Sequence, residues 1–191
     1  MKNIINSSVG ASLRTAQNNS ANAQPRRKPL RLPDFDYSAE GAYFVTILTK
    51  GKRHVLGKII GKEIKLNETG DIVKRTWFDL PDHYPSVTLD EFIVMPNHVH
   101  GIIWILSEST LEKSVRAGLK PALTKPTLSE IVRGFKTFSA RKVNELKSTS
   151  GKSFWHRGYH EHIIRNSDDL YQHRAYIQNN PLKWSLDQYY Q

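Results

Sequence analysis

The chain has 191 residues, no cysteine, 38% hydrophobic residues and a formal net charge of +10 with a pI near 9.8. It is long enough for one domain with a sizeable core, and the lack of cysteine excludes disulfides, thiolate zinc centres and cysteine nucleophiles, with a reducing cytoplasm as the natural setting. No run of about 18 apolar residues occurs, so nothing reads as membrane-spanning, while the positive excess favours polyanions, nucleic acid first, through phosphate contacts and counterion release.

Residues 1–28 are rich in Asn, Ser, Ala and Gln and end in Arg26-Arg27-Lys28. With so little to bury, this stretch is expected to be a disordered basic arm, and residues 29–191 the folded domain. From Gly41 the pattern changes to Ala42-Tyr43-Phe44-Val45-Thr46-Ile47-Leu48-Thr49, β-branched and aromatic, which predicts a central strand. Val55 to Leu66 continues in short β-prone pieces broken by Gly57 and Gly61, as in a hairpin. Glu68 to Tyr84 carries Ile72, Trp77 and Leu80 at near-helical spacing and predicts one helix that stops before Pro85.

Thr88 to Met95 predicts the next strand, and Pro96-Asn97 the turn that leads into His98-Val99-His100. In a strand, successive side chains point to opposite faces, so His98 and His100 project side by side and converge on one point. That geometry suits a metal ion; a hydrogen-bonded pair on a sheet face would read the same. Ile102 and Trp104 share the histidine face, and Val99, Ile103 and Ile105 line the other, so both faces are expected to be buried.

Residues 107–126 read as a loop, with Gly118, Pro121 and Pro126 interrupting any helix. Thr127-Leu128-Ser129-Glu130 has the form of a capping box and opens a helix. Its apolar stripe is Leu128, Ile131, Phe135, Phe138 and Leu146, with Val132 and Val143 beside them; Arg133, Lys136, Arg141 and Lys147 form a basic face that is either solvated or set against DNA. The segment 154–166 mixes aromatic and cationic residues as single-stranded nucleic-acid surfaces do, and ends as a strand. His160 and His162 form a second His-x-His and the rival metal pair, disfavoured because no later side chain is placed to complete it as neatly.

Ser167 is expected to cap a last helix running from Asp168 to about Asn180, with Leu170, Arg174 and Ile177 on one side. At roughly 100° per residue, Asp169, His173, Tyr176 and Asn180 share a narrow stripe. If that stripe faces His98 and His100, a phenol and an amide oxygen meet the two imidazoles. By pattern alone an interfacial tyrosine and a C-terminal asparagine fit equally well.

Met95-Pro96-Asn97-His98-Val99-His100-Gly101, Trp155-His156-Arg157-Gly158-Tyr159-His160-Glu161-His162-Ile163-Ile164-Arg165-Asn166 and Tyr176-Ile177-Gln178-Asn179-Asn180-Pro181 together resemble the HUH single-tyrosine transposases. More narrowly they are similar to the REP-associated tyrosine transposase branch, as is the opening Arg31-Leu32-Pro33-Asp34-Phe35-Asp36-Tyr37 followed by Gly41-Ala42-Tyr43-Phe44-Val45-Thr46. The likeness runs over roughly residues 26–184.

The resemblance implies an α+β fold, an antiparallel sheet with helices packed against it in the ferredoxin-like or RRM-like HUH-endonuclease architecture. It implies Tyr176 as nucleophile and His98, His100 and Asn180 as ligands of Mg²⁺ or Mn²⁺, in an enzyme that cleaves and rejoins single-stranded or hairpin DNA through a 5′-phosphotyrosine. Two nitrogens and an amide oxygen suit Mn²⁺ better, since it tolerates nitrogen. The DNA-contacting residues expected are Arg133, Lys136, Arg157 and Arg165 on the backbone and Trp155 and Tyr159 on bases, in a monomer or homodimer. Two other readings stand beside this one: a non-catalytic nucleic-acid-binding regulator derived from a transposase, and a metal-dependent phosphohydrolase with a water nucleophile.

Overall fold

The computed structural model describes residues 35–107, 125–186 and 189. The expected arm 1–28 and most of the 107–126 loop lie outside them. Strands β1 (Gly41–Leu48), β4 (Val87–Val94), β5 (His98–Ile105) and β6 (His160–Ile164) form one antiparallel sheet in the order β4-β5-β1-β6, and β2 (Gly57–Ile60) with β3 (Glu63–Leu66) form a separate hairpin. Helices α1 (Glu68–Phe78), the one-turn α2 (Leu80–His83), α3 (Leu128–Leu146) and α4 (Ser167–Asn179) complete the α+β architecture.

The two sheet faces are covered differently. Tyr43, Val45 and Ile47 of β1 and Val99, Ile103 and Ile105 of β5 pack with Val73 and Trp77 of α1 and Leu128, Ile131 and Phe135 of α3 in the main core. The opposite face carries a smaller cluster of Ala42, Ile102 and Ile177, flanked by Phe44, Ile93, Trp104, Ile164 and Leu170, under α4. Because alternation holds through β5, His98 and His100 belong to the α4 face. β5 is buried on both sides, as its composition predicts.

Helix α3 starts at the expected capping box, Thr127 and Glu130 each bonding the other's backbone N–H. Its buried stripe ends at Val143; Phe138 leaves the core to stack on His83 at 5.0 Å, and Leu146 is 39% exposed. The single helix expected over 68–84 is broken at Asp79, because Pro81 has no N–H to continue the ladder and its ring crowds the carbonyl of residue 77. At Gly101 the Trp77 ring lies directly on the strand backbone: a Cβ built there would stand 2.3 Å from a ring carbon. Trp77 also stacks on Phe92 at 4.5 Å and is fully buried, so it has nowhere to move.

Strand β4 is not the regular strand its alternation suggests. Its register slips between Leu89 and Phe92, so Asp90 and Glu91 together oppose Ile102 in a β-bulge. The bulge turns two consecutive acids toward α4. Asp90 takes a bidentate ion pair from Arg174, Nε to Oδ1 at 2.8 Å and Nη2 to Oδ2 at 2.6 Å, plus the Trp104 indole N–H at 3.0 Å; Glu91 accepts from Gln178 at 2.8 Å. The Arg174 and Trp104 bonds hold the Asp90 carboxyl down at about 2.

Two outcomes are expected. Gly101→Ala should lower stability by about 1–3 kcal/mol, through displacement of a packed indole, in thermal or urea unfolding. The depressed Asp90 pKa means its contribution is complete above the ordinary carboxylate range and is lost as pH falls from about 4 to about 2. Solvent around the half-exposed Arg174 screens the pair, so Asp90→Asn should cost about 1 kcal/mol at pH 7 and clearly less near pH 2, read from urea midpoints at the two pH values.

Candidate active site

The site begins with the turn between β4 and β5. Asn97 is fully buried, and its amide nitrogen donates to the carbonyls of Lys52 at 3.1 Å and Tyr189 at 2.8 Å. The amide oxygen is therefore left to accept, and it receives the His98 Nδ1–H at 2.7 Å. His98 thus carries its proton on Nδ1 and turns Nε2 toward His100, whose own Nε2 lies 2.9 Å away. On the far side of His100, Nδ1 meets the Thr46 hydroxyl at 2.8 Å. With both rings uncharged, the proton order along this row is defined: Thr46 donates to His100 Nδ1, and His100 Nε2–H donates to His98 Nε2.

Both rings are buried, at 0% and 1% exposure, and burial together with the neighbouring His98 holds the His100 pKa well below its ordinary value. Neutral imidazole is the form that ligates metal. The Nε2 separation of 2.9 Å matches the edge of an octahedron with ligands at about 2.1 Å, which is about 3.0 Å. Sharing a cation would require His100 to carry its proton on Nδ1, and a hydroxyl accommodates that by accepting where it had donated. The donor set therefore fits a divalent ion.

Helix α4 brings in the other candidates. The Asn166 side chain caps its start by accepting the Asp169 N–H at 2.8 Å, where Ser167 was expected to cap. The Tyr176 ring lies 5.1 Å from that of His100 and 6.0 Å from Phe44, and is 40% exposed. Asn180 follows one turn later as the helix C-cap and is 3% exposed. Tyr176 opens on a cleft of about 510 Å³ lined by Phe44, Thr46, His160, His162, His173 and Tyr189, among others. Two aromatic rings from the C-terminal segment cover His98, Tyr189 at 5.0 Å and Trp184 at 5.8 Å. Neither was singled out from sequence, and no local pattern would have found them. Asn97, by contrast, stands directly before His98 in a turn, a place from which its amide can orient the ring.

The expected DNA-contacting residues divide. Arg133, Arg157 and Tyr159 line a second groove of about 530 Å³ between α3 and residues 152–157. Arg165 is exposed at the end of β6, away from that groove. Lys136 sits in the groove, but its ammonium donates to the carbonyls of His156, Arg157 and Gly158 at 2.6, 3.0 and 3.3 Å, so it braces that segment and is not left for phosphate. Trp155 is 5% exposed, packs on Phe135 at 5.5 Å and donates its indole N–H to Ser139 at 2.9 Å. It is a core residue, which corrects the expectation that it stacks on bases: its aromatic area is worth more in the core, given an acceptor for the N–H.

The rival pair also resolves differently from the sequence reading. His160 and His162 lie on the α4 face opposite Thr46 and Phe44. His162 meets Asp169 and His173, later side chains the sequence reading did not connect with it.

Because Asn97 sets the His98 tautomer, Asn97→Ala should leave a buried imidazole N–H without its acceptor. Stability should fall by about 1–3 kcal/mol and Mn²⁺ affinity by about 10–100-fold, measured by unfolding and by calorimetric titration.

No family model matches the chain. A protein of Haemophilus influenzae described only as uncharacterized is 41% identical over 172 residues, 86% of this chain and 93% of that protein. A second, named as a REP-associated tyrosine transposase of the same organism, is 29% identical over 151 residues, 78% of this chain and 74% of the relative. Among solved structures, a REP-associated tyrosine transposase bound to a REP hairpin aligns over 78% of this chain and 70% of its own with a TM-score of 0.54 and 20% identity, a likeness of fold. No helix among the described residues is long and apolar enough to cross a membrane. With its motifs in this order, on this sheet and among these relatives, the chain is similar in sequence to a REP-associated tyrosine transposase and shares the fold of another.

Proposed function

We propose that the chain cleaves and rejoins single-stranded DNA at hairpin-forming repeats, with Tyr176 as nucleophile. The observation that carries this reading is the Tyr176 ring 5.1 Å from His100, on the helix whose next turn bears the buried Asn180. The phenol oxygen forms a bond to a backbone phosphorus, the bond from phosphorus to the 3′ oxygen breaks, and the products are a 5′-phosphotyrosine and a free 3′-hydroxyl. The ester retains the energy of the phosphodiester, so another 3′-hydroxyl can reverse it without ATP.

A phenol has an ordinary pKa near ~10 and is a weak nucleophile at neutral pH. A divalent ion, Mg²⁺ or Mn²⁺, held by His98, His100 and Asn180 would polarise phosphorus and offset charge in the transition state. The chain's own part is positioning. Asn97 and Thr46 fix the two imidazoles from either end, and the Asp90–Arg174 pair fixes the helix that carries Tyr176. The pairing keeps the phenol at the wall of the cleft while leaving it open to a strand.

The partner is DNA in single-stranded or hairpin form; the solved relative holds a REP hairpin. Tyr159 and His160 are consecutive, yet the first lines the arginine groove and the second the Tyr176 cleft. A strand that rounds the start of β6 would touch both, with Arg133 and Arg157 on phosphates and Tyr159 against a base.

The reading is tested with hairpin DNA from the flanks of the chain's own gene, Mn²⁺ and denaturing electrophoresis. Tyr176→Phe should abolish the covalent protein–DNA band, with single-strand binding and fold retained. Adducts formed by the mutant would move the chemistry to another tyrosine, and turnover by the wild type without any adduct would point to a water nucleophile.

A further inference from the structure

On the far side of Phe44 from the catalytic pair lies a second constellation of metal-ligating side chains. The Phe44 ring stacks on His100 at 5.4 Å and contacts His173 at 4.8 Å, so it stands between the two. His162 comes from β6; Asp169 and His173 come from the first two turns of α4. His162 Nε2 is 2.9 and 3.1 Å from the two Asp169 carboxylate oxygens, and His173 Nδ1 is 3.0 Å from Asp169 Oδ1. The three candidate ligand atoms all lie within 4.8 Å of one another. The imidazoles are nearly parallel, 4.5 Å apart at 21°, so both present nitrogen to the same carboxylate.

We infer that His162, Asp169 and His173 form a second metal site, selective for a borderline divalent cation such as Zn²⁺ over Mg²⁺. Two imidazoles and one carboxylate are the donors that Zn²⁺ favours, whereas Mg²⁺ takes oxygen. Ligands on a tetrahedral Zn²⁺ are about 3.3 Å apart, close to the observed 2.9–3.1 Å spacings to Asp169; binding would also take His173 Nδ1 from the Asp169 backbone carbonyl, to which it donates at 2.8 Å, and move that ring's proton to Nε2. The carboxylate is already oriented: the Arg165 backbone N–H donates to Asp169 Oδ2 at 3.1 Å, and the Asp169 N–H is held by the Asn166 cap. That is the kind of outer contact that aims a metal ligand. His162 is half-exposed, which gives the ion a route in from solvent.

Three ligands leave a fourth position, and the cleft that Tyr176 shares supplies solvent to it. The ion would join β6 to the N-terminal half of α4, at the opposite end of the helix from Gln178 and its bond to Glu91. Bound zinc therefore orders α4 ahead of Tyr176. The inference concerns binding and helix order, and stands whether or not the chain cleaves DNA.

The test uses the full chain and ZnCl₂ alone. Calorimetry should give two zinc equivalents for the wild type, one at each histidine site, and one fewer for Asp169→Asn and for His173→Gln, with their folds checked by circular dichroism. In nitrogen-15 spectra of the wild-type histidine rings, the signals of His162 and His173 should shift with zinc and not with equal Mg²⁺. Amide exchange across 169–176 should slow on zinc addition. Ring signals of His162 and His173 that ignore zinc would overturn the inference, even if a variant failed to fold. So would Asp169→Asn and His173→Gln proteins that bind zinc as the wild type does, since hydrogen bonds alone would then account for the cluster.

Discussion

Everything at the site follows from placing two imidazoles on a strand that is buried on both faces. A buried polar group without a partner costs about 1–3 kcal/mol, so His98 and His100 require partners along their whole length. The row Asn97, His98, His100, Thr46 supplies them, each atom meeting the next at 2.7–2.9 Å. The same row fixes which nitrogens face each other, while burial and the neighbouring His98 keep the His100 pKa well below its ordinary value. The burial that threatens the fold is thus also what prepares the site. Asn97 joins this row to the rest of the chain through the carbonyls of Lys52 and Tyr189, so the loop after β1 and the C-terminal segment both converge on His98.

Tyr176 is held by a different kind of force. Helix α4 buries little; Ile177 is its one buried side chain among the described residues, and its apolar cluster is small. Ion pairing and hydrogen bonds compensate: the bulge in β4 delivers Asp90 and Glu91 together to Arg174 and Gln178. A helix held at the rim by polar contacts can shift more readily than one embedded in a core, which suits the role proposed for Tyr176. α3, with Leu128, Ile131 and Phe135 in the main core, is the rigid counterpart.

Much of the fold was legible in the amino-acid sequence, for local reasons. Period-two alternation marked β1 and β5 and put both histidines on one face; the Thr127 to Glu130 capping box marked α3; and the helical stripe joined Asp169, His173, Tyr176 and Asn180. Family likeness named the roles that pattern alone left open. These features rest on neighbours within a turn or a strand, where covalent geometry dictates what meets what.

Tertiary structure decided the rest, because it turned on contacts between residues far apart in the chain. Trp155 reads as an exposed aromatic in a basic run, and only the packing of Phe135 and Ser139 against it makes it core. Lys136 reads as a free cation until three carbonyls from residues 156–158 close on it. The bulge at Asp90 depends on β5 alongside, and the fate of His162 depends on α4 folding back across β6. Sequence by itself determined the strands, the capped helices and the histidine face. The fold determined which cations and rings remain at the surface, because burial and pairing are properties of the assembled chain.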